Sequence, residues 1–331
     1  MTGRPAPALR AGRLPDAADA VAVLQRLDTL AGQDFELELL TGGLTNRNYR
    51  VITRGGAQYV ARFSSVKTSL LAIDREAEFH NSTIAAAAGV GPAVAEFAPD
   101  EGVLLVEWIA GRTFAPADLD DQDQLGRLAD VCRRLHAAPV FASDFDMFAV
   151  QQRYLAIVRE LGFRLPEDYL SFEPIVARVE QVLRGSALDS VPCHNDLLAA
   201  NIMDDGERIW LIDFEYSGNN DPCFELGNIW SEAVLGVDRL EHLVTSYFGV
   251  ASPVQTARAR LFGLMANYGW TLWASIQSSV SDVDFDFWEW GLEKYARARS
   301  EFQSAEFDDL ISTIRESIRT EGAKPWPTPS R

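Results

Sequence analysis

The spacing of apolar and polar positions changes several times along the chain. Over residues 16–30, Ala20, Val21, Leu24 and Leu27 recur at helical spacing. The period then shortens to that of strands. Residues 35–40 and 49–53 read as two strands joined by the glycine-bearing turn Thr41-Gly42-Gly43-Leu44-Thr45-Asn46, and 58–63 reads as a third after Gly55-Gly56. Residues 73–88 predict a helix, stopped by Gly89 with Pro92 beyond. Residues 94–97 and 103–108 predict two further strands, separated by Pro99-Asp100-Glu101-Gly102.

After Gly111 the pattern turns helical. Helices are expected over 125–136 and 169–183, a strand-like island over 209–213, and a helical, tryptophan-rich remainder from Phe224 onward. The layout is α+β: a bilobal fold with a small sheet-rich N-lobe and a larger helical C-lobe. The expected divisions are a flexible tail over 1–15, an N-terminal lobe over 16–108 and a C-terminal lobe over 109–331, with the connector near 107–111. A chain of 331 residues exceeds one comfortable core, which agrees with two lobes.

Charge narrows the partners. The formal net charge of −18 argues against nucleic acid, whose phosphates need a basic surface. It suits a cationic small molecule instead. No apolar run approaches the ~20 residues that span a bilayer, so no stable membrane insertion is expected. The first residues, with Arg4, Pro5, Pro7, Arg10, Arg13 and Pro15, lack the apolar core of a signal peptide. Cys132, Cys193 and Cys223 form no CxxC pair and read as reduced core thiols, which implies a cytoplasmic location.

The candidate chemistry lies in Val191-Pro192-Cys193-His194-Asn195-Asp196-Leu197-Leu198-Ala199-Ala200-Asn201, followed by Leu211-Ile212-Asp213-Phe214-Glu215-Tyr216. Phosphoryl transfer needs a carboxylate at the attacking hydroxyl and oxygen ligands for Mg²⁺. Asp196 and Asn201, five residues apart on one loop, can supply the carboxylate and one metal ligand. Asp213, at the end of a nearby strand, supplies a second oxygen of the kind that hard Mg²⁺ prefers. In the tail, Trp270 and Trp273 are three apart and share a helix face, with Trp288, Trp290 and Tyr295 following. Aromatic walls of this kind hold quaternary ammonium ions by cation–π contact.

The order HxDxxxxN then IDFE resembles the choline/ethanolamine kinase and aminoglycoside phosphotransferase superfamily, which shares the protein-kinase-like fold. The resemblance runs from about Gly42 to Tyr295. His194-Asn195-Asp196-Leu197-Leu198 is more similar to ethanolamine kinases and bacterial choline kinases than to animal choline kinases, which usually have Gln where Leu198 stands. It implies Asp196 as catalytic base or hydroxyl-orienting group, and Asn201 and Asp213 as Mg²⁺ ligands with Glu215 adding a metal or water contact. It implies Glu225 as a carboxylate bracing the catalytic loop, and Asp221 as a cap.

Upstream, Gly43, Thr45 and Asn46 fall in a segment that resembles the family's SGGLTN nucleotide loop. No Walker A lysine follows it. Arg62 stands at the phosphate-binding position, with Glu78 its expected carboxylate partner and Glu76 the alternative, and Glu107-Trp108-Ile109 would offer backbone groups to adenine. Trp270-Thr271-Leu272-Trp273 resembles the choline kinase WxLW segment and Tyr295-Ala296-Arg297-Ala298-Arg299 its YAxxR segment. Trp270, Trp273 and Tyr295 would then line the acceptor pocket, Trp290 would fall near it, and Glu232 would face the cationic head.

The activity so implied is transfer of the γ-phosphate of ATP, with Mg²⁺, to the hydroxyl of a small cationic alcohol, choline or ethanolamine. The alternative is a same-fold kinase of an aminoglycoside or sugar, which Asp282, Asp284 and Asp286 keep open as an acidic cluster. Intact Asp196, Asn201 and Asp213 count against a non-catalytic pseudokinase.

Overall fold

The computed structural model of the protein describes residues 14–41, 43–64 and 70–321. Two compact units follow one another in sequence, Met1–Ala110 and Gly111–Arg331. Of the tail expected over 1–15, residues 1–13 lie outside the described residues. Pro15 is already buried, its carbonyl accepting from Arg47 and from the Tyr49 hydroxyl.

The first unit begins with α1 (Ala17–Leu24), which Asp16 caps by accepting from the N–H groups of Ala18 and Asp19. The helix expected to run to residue 30 stops early. Leu27 is extended, and a 3₁₀ turn covers Asp28–Leu30. There follow β1 (Phe35–Leu40), β2 (Asn46–Thr53), β3 (Gln58–Ser64), α2 (Arg75–Ala87), β4 (Val94–Ala98) and β5 (Val103–Glu107). The strands form one antiparallel sheet in the order β1-β2-β3-β5-β4. Alternation puts Tyr49 and Val51 of β2, Ala61 and Phe63 of β3, and Val103 and Leu105 of β5 on one face. There they pack with Ala20, Val23, Leu24, Leu27 and Leu30 as a single core. Asp74 caps α2, and Gly89 beyond its end has the left-handed φ of +68° that stops it.

The second unit holds β6 (Arg112–Thr113), α3 (Gln122–His136), α4 (Met147–Leu161), α5 (Glu173–Gly185), β7 (Val191–Cys193), β8 (Ile202–Asp204), β9 (Ile209–Leu211), β10 (Gly218–Asn220), α6 (Pro222–Glu232), α7 (Val237–Phe248), α8 (Pro253–Val280), α9 (Phe287–Phe302) and α10 (Phe307–Glu321). β6, β8 and β9 form one small sheet, and β7 pairs with β10 in another. The continuous helix expected over 169–183 is a 3₁₀ turn, Tyr169–Phe172, followed by α5. Pro174, without an N–H, suits the first turn of a new helix.

Helix α8 is buried along most of its length and forms the axis of this unit. It meets α6 at glycines. A Cβ on Gly227 would stand 2.1 Å from the Ala259 carbonyl oxygen, and one on Gly263 would stand 2.6 Å from that of Gly227. This backbone-to-backbone approach requires both residues to lack side chains, and it sets α6 in place under the loop described next. No helix among the described residues is long and apolar enough to cross a membrane.

Candidate active site

The loop after β7 is held from below by α6. Both carboxylate oxygens of Glu225 accept backbone N–H groups, Oε1 from His194 at 2.7 Å and Oε2 from Asn195 at 2.8 Å. One turn on, Asn228 Oδ1 accepts the N–H of Leu197 at 2.7 Å. Asn195 has a left-handed φ of +67°, a conformation that asparagine tolerates better than most residues. Its side chain stabilises that shape by donating to the carbonyls of Tyr216 and Gly218 and accepting from Asn220. Glu225 is fully buried. Burial would raise its pKa, but hydrogen bonding and charge from His136, with the contribution of His194, hold it below the usual carboxylate value.

Asp196 therefore projects from a backbone fixed on both sides. The amide nitrogen of Asn201 donates to the Asp196 carbonyl at 2.8 Å and to its carboxylate at 3.2 Å. With both amide hydrogens engaged, Oδ1 is the Asn201 atom that can ligate a cation. His194 Nε2 lies 2.9 Å from the Ile212 carbonyl, and the Ile212 N–H donates to the Asn201 carbonyl. These bonds tie the Asp196 loop to the segment carrying Asp213, whose φ is +69°. Burial pushes the Asp196 carboxyl well above its ordinary pKa, and the negative charges of Glu232, Asp213 and Glu215 add to the shift, while Lys294 opposes it.

The acceptor-side residues gather on α6, α8 and α9. Trp273 Nε1 donates to the Tyr216 hydroxyl at 2.8 Å, and its ring meets Trp290 edge to face at 5.5 Å between centroids. Trp270 lies against Tyr216 at 5.0 Å. The Lys294 ammonium sits 2.7 Å from each oxygen of Glu232 and 4.3 Å from the centre of the Trp290 ring. Burial pulls the Lys294 pKa below that of an ordinary lysine, and Glu232 partly restores it.

Tyr295 corrects the sequence reading. It makes its contacts away from the Trp270–Trp273 pair: its hydroxyl donates to Asp168, and its ring lies against Tyr169 and Phe172. It lines a separate cavity of about 720 Å³ together with Asp168, Trp288 and Arg299. Helix geometry explains this, because residues 294 and 295 are about 100° apart around α9 and face different neighbours.

In the first unit, Arg62 pairs with Glu78 Oε1 at 2.7 Å, while Arg75 takes Oε2 at 2.6 Å. Glu76 is exposed, so the choice between the two acids falls on Glu78. Gly43 lies where a Cβ would stand 2.6 Å from the Asn46 carbonyl oxygen, and Asn46 Nδ2 donates to the Thr45 hydroxyl. Gly42 lies outside the described residues. At the connector the N–H groups of Glu107 and Trp108 are engaged by the Ala93 and Gln58 carbonyls. Asp221 caps α6 through the Cys223 N–H and pairs with the buried Arg258.

Two groups were missed from sequence. Lys294 follows Trp290 by one turn, a spacing that places both on one face. His136 stands beneath the brace, 3.6 Å from Glu225, with its Nδ1 2.7 Å from the Tyr247 hydroxyl. Nothing in the local pattern around His136 marks it, since its partners are distant in sequence.

The model of the phosphotransferase enzyme family matches residues 36–262. The LicA protein of Haemophilus influenzae is 25% identical over 257 residues, 74% of this chain and 75% of the relative. Ethanolamine kinase 2 of Mus musculus is 28% identical over 267 residues, 71% and 68% of the two chains. A solved choline/ethanolamine kinase family protein from Mesorhizobium loti superposes with a TM-score of 0.79 at 30% identity, covering 90% of this chain and 99% of that one. The match takes in the sheet-rich unit and the loop carrying Asp196, Asn201 and Asp213, and the chain belongs to the phosphotransferase enzyme family, as an enzyme of protein-kinase-like fold related to the choline/ethanolamine kinases.

Proposed function

We propose that the protein transfers the γ-phosphate of MgATP to the hydroxyl of a small amino alcohol, choline or ethanolamine. One observation carries this reading. The Asp196 carboxylate accepts from the Asn201 amide at 3.2 Å, and the negative charges of Glu232, Asp213 and Glu215 all act on it. A single carboxylate is thus influenced both by acids suited to a metal and by an acid suited to an ammonium. The names of the relatives support the same acceptor class.

Asn201, Asp213 and Glu215 would hold Mg²⁺. The donors are all oxygen, and the repulsion of Asp213 and Glu215 with Asp196 suits a site that receives a cation. When bound, the ion supplies charge neutralisation on the phosphoryl oxygens. Asp196 accepts a hydrogen bond from the acceptor hydroxyl, aims its oxygen at the phosphorus and takes its proton. Glu225 and Asn228 keep the loop from relaxing as charge shifts. Glu232 receives the ammonium, and Trp273 and Trp290 shield it from water. Arg62, oriented by Glu78, is assigned to the nucleotide phosphates. The aminoglycoside alternative loses support at its acidic cluster, because Asp286 is engaged as the cap of α9.

A coupled ADP-release assay across choline, ethanolamine, aminoglycosides and simple sugars tests the reading. Turnover is expected with an amino alcohol and should fall by about 10²–10⁴-fold in Asp196→Asn with nucleotide binding retained. Turnover of only a sugar or an aminoglycoside would refute the acceptor class.

A further inference from the structure

The cation position of the acceptor site is taken by the chain itself. Lys294 places its ammonium 2.7 Å from both Glu232 oxygens and over the Trp290 ring, with only 1% of its side chain exposed. A carboxylate below, an aromatic face above and exclusion of water are the features that recognise an alkylammonium ion. The lysines of this sequence are Lys67, Lys294 and Lys324, so an arginine-rich chain carries a primary alkylammonium at this point. The charges of Asp196 and Lys294 also reach one another, which puts the ammonium in the neighbourhood of the proposed chemistry.

We infer that Lys294 is a tethered competitor: it occupies the acceptor's cation position, and an acceptor ammonium binds Glu232 only by displacing it. This rests on the amino-alcohol reading above. The exchange is balanced in charge, one ammonium leaving Glu232 as another arrives. Its effect on affinity follows from the population of the open state. A competent state populated at about 0.1–10% weakens apparent binding by about 10- to 1,000-fold. Lys294 thereby determines how strongly the site prefers a charged acceptor to an uncharged one, because a neutral alcohol gains nothing from a bare Glu232.

The test compares wild type, Lys294→Met and Lys294→Gln in steady-state assays with ethanolamine, choline and 3,3-dimethylbutan-1-ol, the uncharged carbon analogue of choline. Lys294→Gln keeps an amide donor for Glu232, so one folded variant is available even where Met leaves that carboxylate unpaired. KM for both amines should fall by about tenfold or more in the variants, while KM for the neutral alcohol moves by less than about threefold. Ethanolamine should also raise the melting temperature of the variants more than that of wild type. Unchanged or raised amine KM in a folded variant, with wild type active on amines, overturns the competitor role alone. No turnover of either amine by any form overturns both this inference and the amino-alcohol reading.

Discussion

Glu225→Gln isolates the support beneath the catalytic loop from the chemistry above it. Glutamine has the shape of glutamate but only one acceptor oxygen, so it keeps one of the two backbone bonds and turns a donor toward the other N–H. A hydrogen bond to a buried charged group contributes about 1.5–3 kcal/mol, and an orphaned buried donor costs about 1–3 kcal/mol. The remaining bond and local relaxation bring the expected loss to about 3 kcal/mol. For a unit of this size that corresponds to roughly 6–12 °C in melting temperature. Because His194 and Asn195 immediately precede Asp196, a shift of the loop misplaces the carboxylate, and about 10²-fold in kcat is expected with little change in nucleotide affinity.

The pH dependence gives an independent check on the same residue. The pKa of Glu225 is depressed on folding, so its contribution to stability is present above the unfolded value of about 4.3. It is lost as pH falls through the folded value. The stability gap between wild type and variant should therefore narrow below about pH 4. Melting curves from pH 7 downward and kcat at pH 7 are the measurements. A variant that melts like wild type and turns over within about threefold of it would show that the two bonds do not position Asp196, since the expected loss is far larger.

Asp213→Ala should raise the free Mg²⁺ needed for half-maximal rate; an unchanged midpoint and maximum would place the metal elsewhere. Trp273→Leu removes an aromatic wall and should raise the amine KM by up to about thirtyfold with the ATP KM unchanged, whereas Trp273→Phe, losing the bond to Tyr216, should cost about 1 kcal/mol in stability and far less in KM. Arg62→Gln should raise the ATP KM by about tenfold or more, with a stability loss nearer ~3 than ~5 kcal/mol because Arg75 still neutralises Glu78. Nucleotide titration and melting separate those two effects.

Much of the first unit was legible in the sequence. Its strands alternate with a period of two around Tyr49, Val51, Ala61 and Phe63, and Asp74 and Gly89 punctuate α2. Local rules suffice there because each strand pairs with a near neighbour in the chain or across one crossover. The order of Asp196, Asn201 and Asp213 could also be read, since loop chemistry of this kind needs those residue types at fixed spacing. Strands of two or three residues, such as β6, β7, β8 and β10, carry no period to read, and they exist because distant segments meet.

What the sequence alone determined was the succession of elements and the residue types that phosphoryl transfer requires. Tertiary structure decided which side chains meet. Glu225 and Asn228 reach the catalytic loop because Gly227 and Gly263 let two helices touch, and His136 comes beneath Glu225 from 89 residues away in sequence. Tyr295 was drawn to Asp168, and Lys294 to Glu232, by neighbours that meet different faces of one helix. A hydrogen bond or an ion pair depends on positions in space to within a fraction of an ångström, and a linear pattern encodes only direction along a helix or strand. The occupancy of the cation position by Lys294 is therefore a property of the folded packing of α6 against α9, not of any motif.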